Sequence, residues 1–213
     1  MMRTKAEIRE MINKGYEVMK NRLMMQVINT KGNEELLCTV PHVEFADLSL
    51  VYRFVFNTEP LQTCVVTDDL MYGYKISHEQ LHTNALKSST NNFPVTIKSL
   101  EEMLFGFCPD SDPLFYIATI KGNTYGASCL CYPGFFERAA EVMKGSFYIL
   151  PSSIHEVLLA PADPDDLADL NETAKNLKDI VQTVNGTEVA PEEKLSDSVY
   201  YYDAKNRTFK ICC

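Results

Sequence analysis

Several features are missing from this sequence, and each absence excludes a class of protein. No apolar run approaches the ~20 residues that a membrane-spanning helix needs, and residues 1–22 are too frequently charged for a signal peptide. Basic side chains are in deficit, because 20 Lys and Arg face 29 Asp and Glu and give a net charge of -9. Binding to nucleic acid or to an anionic membrane is not expected, since both depend on Lys and Arg. A cytoplasmic location is expected.

The cysteines lack the spacing of a metal or redox site. There are seven, an odd number, and no two of them are separated by two residues. Most lie in apolar, strand-like stretches, so reduced and buried thiols are expected. Tryptophan is also absent, and 11 Tyr and 11 Phe supply the aromatic packing. A chain of this length can bury a substantial core without a disulfide or a metal, and no cofactor is expected.

Helical patterns occur at several places along the chain. Apolar residues at three- and four-residue steps predict an amphipathic helix over about residues 4–23, with Thr4 and Glu7 as a capping box at its start. Ser77 and Gln80 form a second capping box, which predicts a helix to about residue 88.

β-branched and aromatic runs predict strands between these helices. They cover residues 36–40, 48–56, 147–150 and 154–160, with hairpins over 114–131 and 199–211. In the last hairpin, successive tyrosines at 200–202 should alternate between sheet faces, which predicts packing and not a base-stacking platform. The order of elements favours a single α+β domain with a mixed, largely antiparallel sheet and several packed helices.

Charge is distributed unevenly. Residues 161–198 hold ten acidic and three basic side chains, whereas residues 1–31 hold seven basic and three acidic ones. The acidic segment is either a solvated helix face, whose first-turn carboxylates suit the helix dipole, or a docking surface for a partner with a basic surface. A protein that mimics nucleic acid is a special case of the second interpretation.

The string His78-Glu79-Gln80-Leu81-His82 matches the His-Glu-x-x-His motif of zinc metallopeptidases. Two histidines one helical turn apart can bind one zinc ion, and the glutamate can polarise its water. However, Ser77 as N-cap places His78 in the first turn, and Ala85 and Ser88 replace the glycine and histidine of the extended motif. Histidines at a helix surface or cap are the competing interpretation.

A second cluster, PSSIHE at 151–156, lies between two predicted strands. Ser152, Ser153, His155 and Glu156 offer the hydroxyl, imidazole and carboxylate of nucleophilic hydrolysis. On a strand Ser153 and His155 share a face while Glu156 points away, and no Gly-x-Ser-x-Gly elbow is present. The competing interpretation is a turn whose hydroxyls cap backbone groups beside a half-buried histidine.

Four strings together resemble a known family. They are VPH…FADLSLVYR within 40–53, GASCLCYPG at 126–134, FYILPSSIHEVLLAP at 147–161 and LSDSVY at 195–200. They resemble a family of bacterial proteins with a domain of unknown function, common in anaerobic, gut-type Gram-positive bacteria. The resemblance covers nearly the whole chain and implies no specific activity.

The resemblance also bears on the candidate sites. His42, Arg53, His155 and Glu156 match the family pattern, whereas a histidine at position 78 is not part of it. The resemblance therefore favours a shared site, or a structural network, drawing on these residues together with Ser152 and Ser153. It weakens the hypothesis of zinc at His78 and His82.

No coherent catalytic set emerges from these patterns. The sequence therefore favours a non-catalytic binding or regulatory protein that acts through its acidic surface. The alternative is a hydrolase that uses the loop at 152–156 or a zinc ion at His78 and His82.

Overall fold

The computed structural model describes residues 2–106, 112–162, 170–187 and 189–212. The chain divides into two compact units, Met1–Pro94 and Val95–Cys213, and each has its own sheet. All strand pairs in the described ranges are antiparallel, which confirms the α+β class with largely antiparallel pairing. The grouping of the whole chain into one domain stays a prediction. None of the helices in these ranges is long and apolar enough to cross a bilayer.

The first unit combines short helices with a four-stranded sheet. Its strands are β1 (Leu23–Asn29), β2 (His42–Phe45), β3 (Leu48–Thr58) and β4 (Leu61–Val65). Its helices are α1 (Lys5–Asn13), α2 (Tyr16–Met19), α3 (Glu34–Leu37), α4 (Asp68–Tyr74) and α5 (His78–Asn92), with a 3-10 turn at Lys20–Arg22. β3 is central, because β1 pairs with one of its edges and β2 and β4 pair with successive parts of the other.

Strand β3 is buried on both faces over Leu48–Phe56, where only Ser49 and Arg53 interrupt the apolar side chains. Tyr52 and Phe54 point to one face, where Tyr52 reaches helix α5 and the ring of Phe54 lies edge-on to Tyr74 of α4. Val51 points to the opposite face and belongs to a small cluster with Ile28, Leu37 and Val40.

Strand β1 lies at an edge of this sheet, and helix α5 contacts it. The hydroxyl of Ser89, a buried residue of α5, accepts a hydrogen bond of 3.1 Å from the backbone N–H of Met25. A buried N–H without a partner is costly, so this side chain satisfies a group that the sheet leaves open.

The second unit has a six-stranded sheet in the order β10-β9-β7-β8-β6-β5. Its strands are β5 (Val95–Ser99), β6 (Tyr116–Ile120), β7 (Phe147–Leu150), β8 (Val157–Pro161), β9 (Tyr200–Asp203) and β10 (Thr208–Ile211). Its helices are α6 (Leu100–Phe105), α7 (Phe135–Met143) and α8 (Leu170–Thr187), with a 3-10 helix at Gly126–Cys131.

Alternation along the strands gives this sheet two apolar faces. Tyr148 of β7 and Tyr201 of β9 pair on one face and form a cluster with Leu177 and Val181 of α8. On the other face, Tyr202 stacks on Phe136 of α7, with ring centroids 5.1 Å apart. All three tyrosines at 200–202 are buried, which confirms their predicted packing role.

Both predicted capping boxes are present, at Thr4 and Ser77, but three predicted elements are wrong. The N-terminal helix is not continuous over 4–23: α1 ends at Asn13, Gly15 takes a φ of 91°, and α2 with the 3-10 turn then covers residues 16–22 before β1. Residues 36–40 are not a strand, because Glu34–Leu37 is helical and the strand begins at His42. The predicted hairpin partner at 125–131 is a 3-10 helix, and β6 pairs with β5 and β8 instead.

Two further predictions concern side chains and charge. Five described cysteines are free thiols; Cys129 is buried, but Cys38 is exposed and departs from the expectation of burial. Residues 163–169 and 188 of the acidic segment lie outside the described residues, as do Cys108 and Cys213.

Replacing Ser89 by alanine should lower the free energy of unfolding by about 1–3 kcal/mol, because the buried N–H of Met25 then has no partner. The matched control is Thr83→Ala at an exposed position of the same helix, which should change stability by less than about 0.5 kcal/mol. Chemical denaturation measures both. Equal effects of the two substitutions would show that the hydrogen bond from Met25 contributes nothing.

Candidate functional site

The loop at 151–156 joins β7 to β8 and is held by a distant segment of the second unit. The N–H of Ile154 donates to the carbonyl of Glu193 at 2.9 Å, and the N–H of Leu195 donates to the carbonyl of Ser152 at 3.0 Å. The N–H of Ser196 donates to the carbonyl of Pro151 at 2.9 Å. The loop therefore has a defined backbone, because residues 193–196 pair with it as a short strand would.

The imidazole of His155 has both ring nitrogens engaged. Nδ1 accepts a hydrogen bond of 3.3 Å from the backbone N–H of Tyr125, so the proton of the neutral ring lies on Nε2. Nε2 lies 3.2 Å from Oε1 of Glu193 and donates to it. The ring of Tyr125 lies nearly parallel to the imidazole, at 19° and 6.0 Å between centroids. His155 is thus oriented from two directions, with 29% of its side chain accessible.

The two serines of the loop do not contact this imidazole through a hydrogen bond to its ring nitrogens. The hydroxyl of Ser153 accepts a hydrogen bond of 3.0 Å from the backbone N–H of His155, as in a serine turn. Ser152 is buried, and Glu156 is half-buried immediately before β8. The loop has the ingredients of a hydrolase, but its serine and histidine are joined through the backbone.

The carbonyl of His155 lies against a glycine. The hydroxyl of Thr119 on β6 donates to this carbonyl at 2.9 Å. A Cβ atom on Gly126 would lie 2.0 Å from Thr119 Oγ1 and 2.1 Å from the carbonyl oxygen of His155. Only glycine fits at this approach, which brings the start of the 3-10 helix onto the loop. We call Thr119, Tyr125, Gly126, Ser153, His155 and Glu193 the His155 cluster.

Three of the four strings that carry the family resemblance meet at or beside the His155 cluster. The string at 126–134 supplies Gly126, the string at 147–161 supplies Ser153 and His155, and the string at 195–200 begins with the residue that binds Ser152. These distant stretches of the sequence therefore form one structural feature of the second unit.

The candidates His42 and Arg53 belong to the first unit, so the predicted set divides between the two units. His42 Nδ1 lies 3.0 Å from the carbonyl oxygen of Val40, and its Nε2 lies 3.9 Å from Glu44. Arg53 donates to Thr63 Oγ1 at 2.8 Å and to Gln26 Oε1 at 2.9 Å. Both side chains are therefore bonded to residues of the first unit.

The histidines of the zinc motif lie at the start of α5, one helical turn apart. Ser77 caps the helix, so His78 occupies its first position and is exposed. His82 Nδ1 is 2.8 Å from the hydroxyl of Tyr52, and the rings of both histidines lie edge-on to Tyr52. Partial burial, and then the neighbouring charge of His78, hold the pKa of His82 below its usual value.

The described residues also bear on metal binding and on the reactivity of the buried thiols. Within the described ranges, no three His, Cys, Asp or Glu residues are grouped so that they could hold a metal ion. Burial raises the pKa of the Cys131 thiol to about 12, and burial also raises that of Cys129. Neither thiol is a nucleophile near neutral pH.

Sequence reasoning missed the residues that contact the candidates. Glu193, Tyr125 and Tyr52 come from segments far from His155 and His82 in the sequence, and no local pattern relates them. Gly126 and Tyr52 had a signal, because each lies in one of the strings that carry the resemblance.

Comparison with known proteins gives a family and no function. The model of a protein family described as a family of unknown function, DUF5688, matches residues 2–204. No curated protein and no solved structure matches the chain significantly.

Replacing Gly126 by alanine should destabilise the protein by about 3 kcal/mol, the upper end for overpacking, because one of the two clashing atoms is backbone. Gly145→Ala is the control, since a Cβ there meets nothing within 4 Å, and its stability should be unchanged or slightly higher. Urea denaturation compares the two. A Gly126→Ala protein as stable as the control would contradict the close approach.

Proposed function

We propose that this chain, which belongs to the DUF5688 family of unknown function, is a non-catalytic binding or regulatory protein of a bacterial cytoplasm. In this proposal an acidic surface of the second unit binds a protein with a basic surface. Nucleic acid and membrane are not expected as partners, because their phosphate groups carry the same sign of charge.

The observation that carries the proposal is the unequal division of charge between the units. Residues 1–94 contain ten basic and eleven acidic side chains, a net charge of -1. Residues 95–213 contain ten basic and eighteen acidic side chains, a net charge of -8. Nearly all of the excess charge therefore belongs to the second unit, and a field of one sign steers association with an oppositely charged partner.

Some carboxylates of the acidic segment have internal roles. Glu193 pairs with His155, and Asp197 accepts hydrogen bonds from Lys194 and Asn185 at 2.9 and 2.7 Å. Partial burial raises the pKa of Asp197, but these hydrogen bonds outweigh it and the pKa lies below its usual value. Both carboxylates are therefore engaged by side chains of the same unit.

Other carboxylates of the segment point into solvent. Glu172 and Asp179 lie on exposed positions of α8, and Glu192 is exposed beside the His155 cluster. These three, together with the carboxylates outside the described residues, are the groups that the proposal assigns to binding.

The His155 cluster supports a non-catalytic role. A general base needs a ring nitrogen that can accept a proton from the nucleophile, and both nitrogens of His155 are engaged by other groups. The hydroxyl of Ser153 is bonded to the backbone N–H of His155. These hydrogen bonds fit a structural role, in which they fix the conformation of the loop at 151–156.

A hydrolase that uses Ser153 and His155 is the alternative, because hydroxyl, imidazole and carboxylate lie within one cluster. We expect an alkyl fluorophosphonate to leave Ser153 unmodified, as judged by mass spectrometry of the intact protein and its peptides. A stoichiometric adduct on Ser153 that disappears in His155→Gln would overturn the non-catalytic proposal and establish an activated serine.

The charge proposal is tested with two variants that lose the same charge in different units. The triple variant Glu172→Gln, Asp179→Asn, Glu192→Gln neutralises the exposed carboxylates of the second unit. The control Glu10→Gln, Glu35→Gln, Asp69→Asn neutralises three exposed carboxylates of the first unit. Each protein is immobilised, and proteins retained from a bacterial lysate are quantified by mass spectrometry.

The wild type and the control should retain the same basic proteins, and the second-unit variant should lose them. Raising salt from roughly 50 mM to about 300 mM should release them, because screening weakens exposed charge pairs. Equal loss in both variants, or retention that salt and the second-unit variant leave unchanged, would contradict the proposal.

A further inference from the structure

We propose that His78 and His82 bind one divalent transition-metal ion, such as Zn²⁺ or Cu²⁺, with Tyr52 as the residue that orients His82. This site belongs to the first unit and is independent of the acidic surface. It differs from the metallopeptidase hypothesis in that the protein supplies two ligands and water completes the coordination.

The helix places the two imidazoles suitably. Helix α5 starts at His78 behind the capping box of Ser77 and Gln80, which fixes the first turn. His82 follows one turn later, so both side chains project from the same face. Both rings lie edge-on to the ring of Tyr52, with centroids 6.2 Å away for His78 and 6.0 Å for His82. One aromatic ring is therefore the common neighbour of both ligands.

Tyr52 gives His82 the second contact that metal-binding histidines require. Such histidines use one ring nitrogen for the metal and donate the other N–H to a fixed acceptor. The hydroxyl of Tyr52 lies 2.8 Å from Nδ1 of His82 and can accept as well as donate. Tyr52 is fully buried on the central strand β3, so its position is rigid. With Nδ1 engaged by Tyr52, Nε2 of His82 is left for the metal.

The two imidazoles differ in their freedom to move. The ring of His82 is held by the hydroxyl of Tyr52, which lies 2.8 Å from its Nδ1. His78 is exposed, so its ring can turn toward the ion without disturbing the core.

The number of ligands decides the chemistry of the site. Among the described residues no third His, Cys, Asp or Glu joins the pair in a metal-binding group. Catalytic zinc normally has three protein ligands. Two imidazoles suit Cu²⁺, Ni²⁺ and Zn²⁺, and Cu²⁺ should bind most tightly. The site is therefore a chelate of two histidines, and water completes the coordination of the ion.

Calorimetric titration of the untagged protein with Zn²⁺ and, separately, Cu²⁺ tests the proposal. The wild type should bind one equivalent of each ion, and His78→Ala should weaken binding by at least about tenfold. His42→Gln is the control, because it removes the other histidine of the first unit and should leave the affinity unchanged. The paramagnetic resonance spectrum of bound Cu²⁺ should show nitrogen ligands that His78→Ala reduces in number.

Tyr52→Phe tests the orienting role, since it keeps the ring and removes only the hydroxyl. It should weaken binding by about 10–100-fold, with melting of the metal-free variant showing that the fold is retained. Binding that His78→Ala leaves unchanged, or that His42→Gln weakens equally, would overturn the site. Unchanged affinity in Tyr52→Phe would overturn the orienting role.

Discussion

The contact between Gly126 and the carbonyl of His155 is the constraint on which the arrangement of the second unit depends. It brings the 3-10 helix at Gly126–Cys131 against the loop between β7 and β8, and the hydroxyl of Thr119 joins the same carbonyl. Once this loop is fixed, residues 193–196 can pair along it and Glu193 reaches the imidazole. A single glycine thus sets the position of three segments that are distant in the sequence.

The same contacts bear on function. The imidazole of His155 is hydrogen-bonded to an amide through one nitrogen and to a carboxylate through the other. This arrangement suits a structural role better than proton transfer. Function is then more reasonably sought on surfaces, where the second unit carries nearly all of the net charge, and at the start of α5, where two histidines border a buried tyrosine. These two features lie in different units and call for different ligands.

Features that depend on neighbouring residues were predicted correctly from the sequence, whereas contacts between distant segments were not. The capping boxes at Thr4 and Ser77 depend on residues three apart, and both are present. The predicted helix ended at about residue 23, and strand β1 over Leu23–Asn29 was not predicted, because the periodicity of a short apolar run does not distinguish a strand from a helix. Residues 125–131 have the composition of a strand, but Gly126–Cys131 is a 3-10 helix whose first residue lies against the carbonyl of His155. The partners Glu193 and Tyr52 depend on the folded topology, which local patterns do not encode.

The hydroxyl of Ser89 has a consequence beyond the helix to which it belongs. Strand β1 is an edge strand made largely of Leu, Met, Val and Ile, the kind of segment that a second molecule can extend into an aggregated sheet. The serine takes up the N–H of Met25, one of the groups that an added strand would need. A side chain on a neighbouring helix therefore leaves one backbone donor fewer for a strand of a second molecule to pair with.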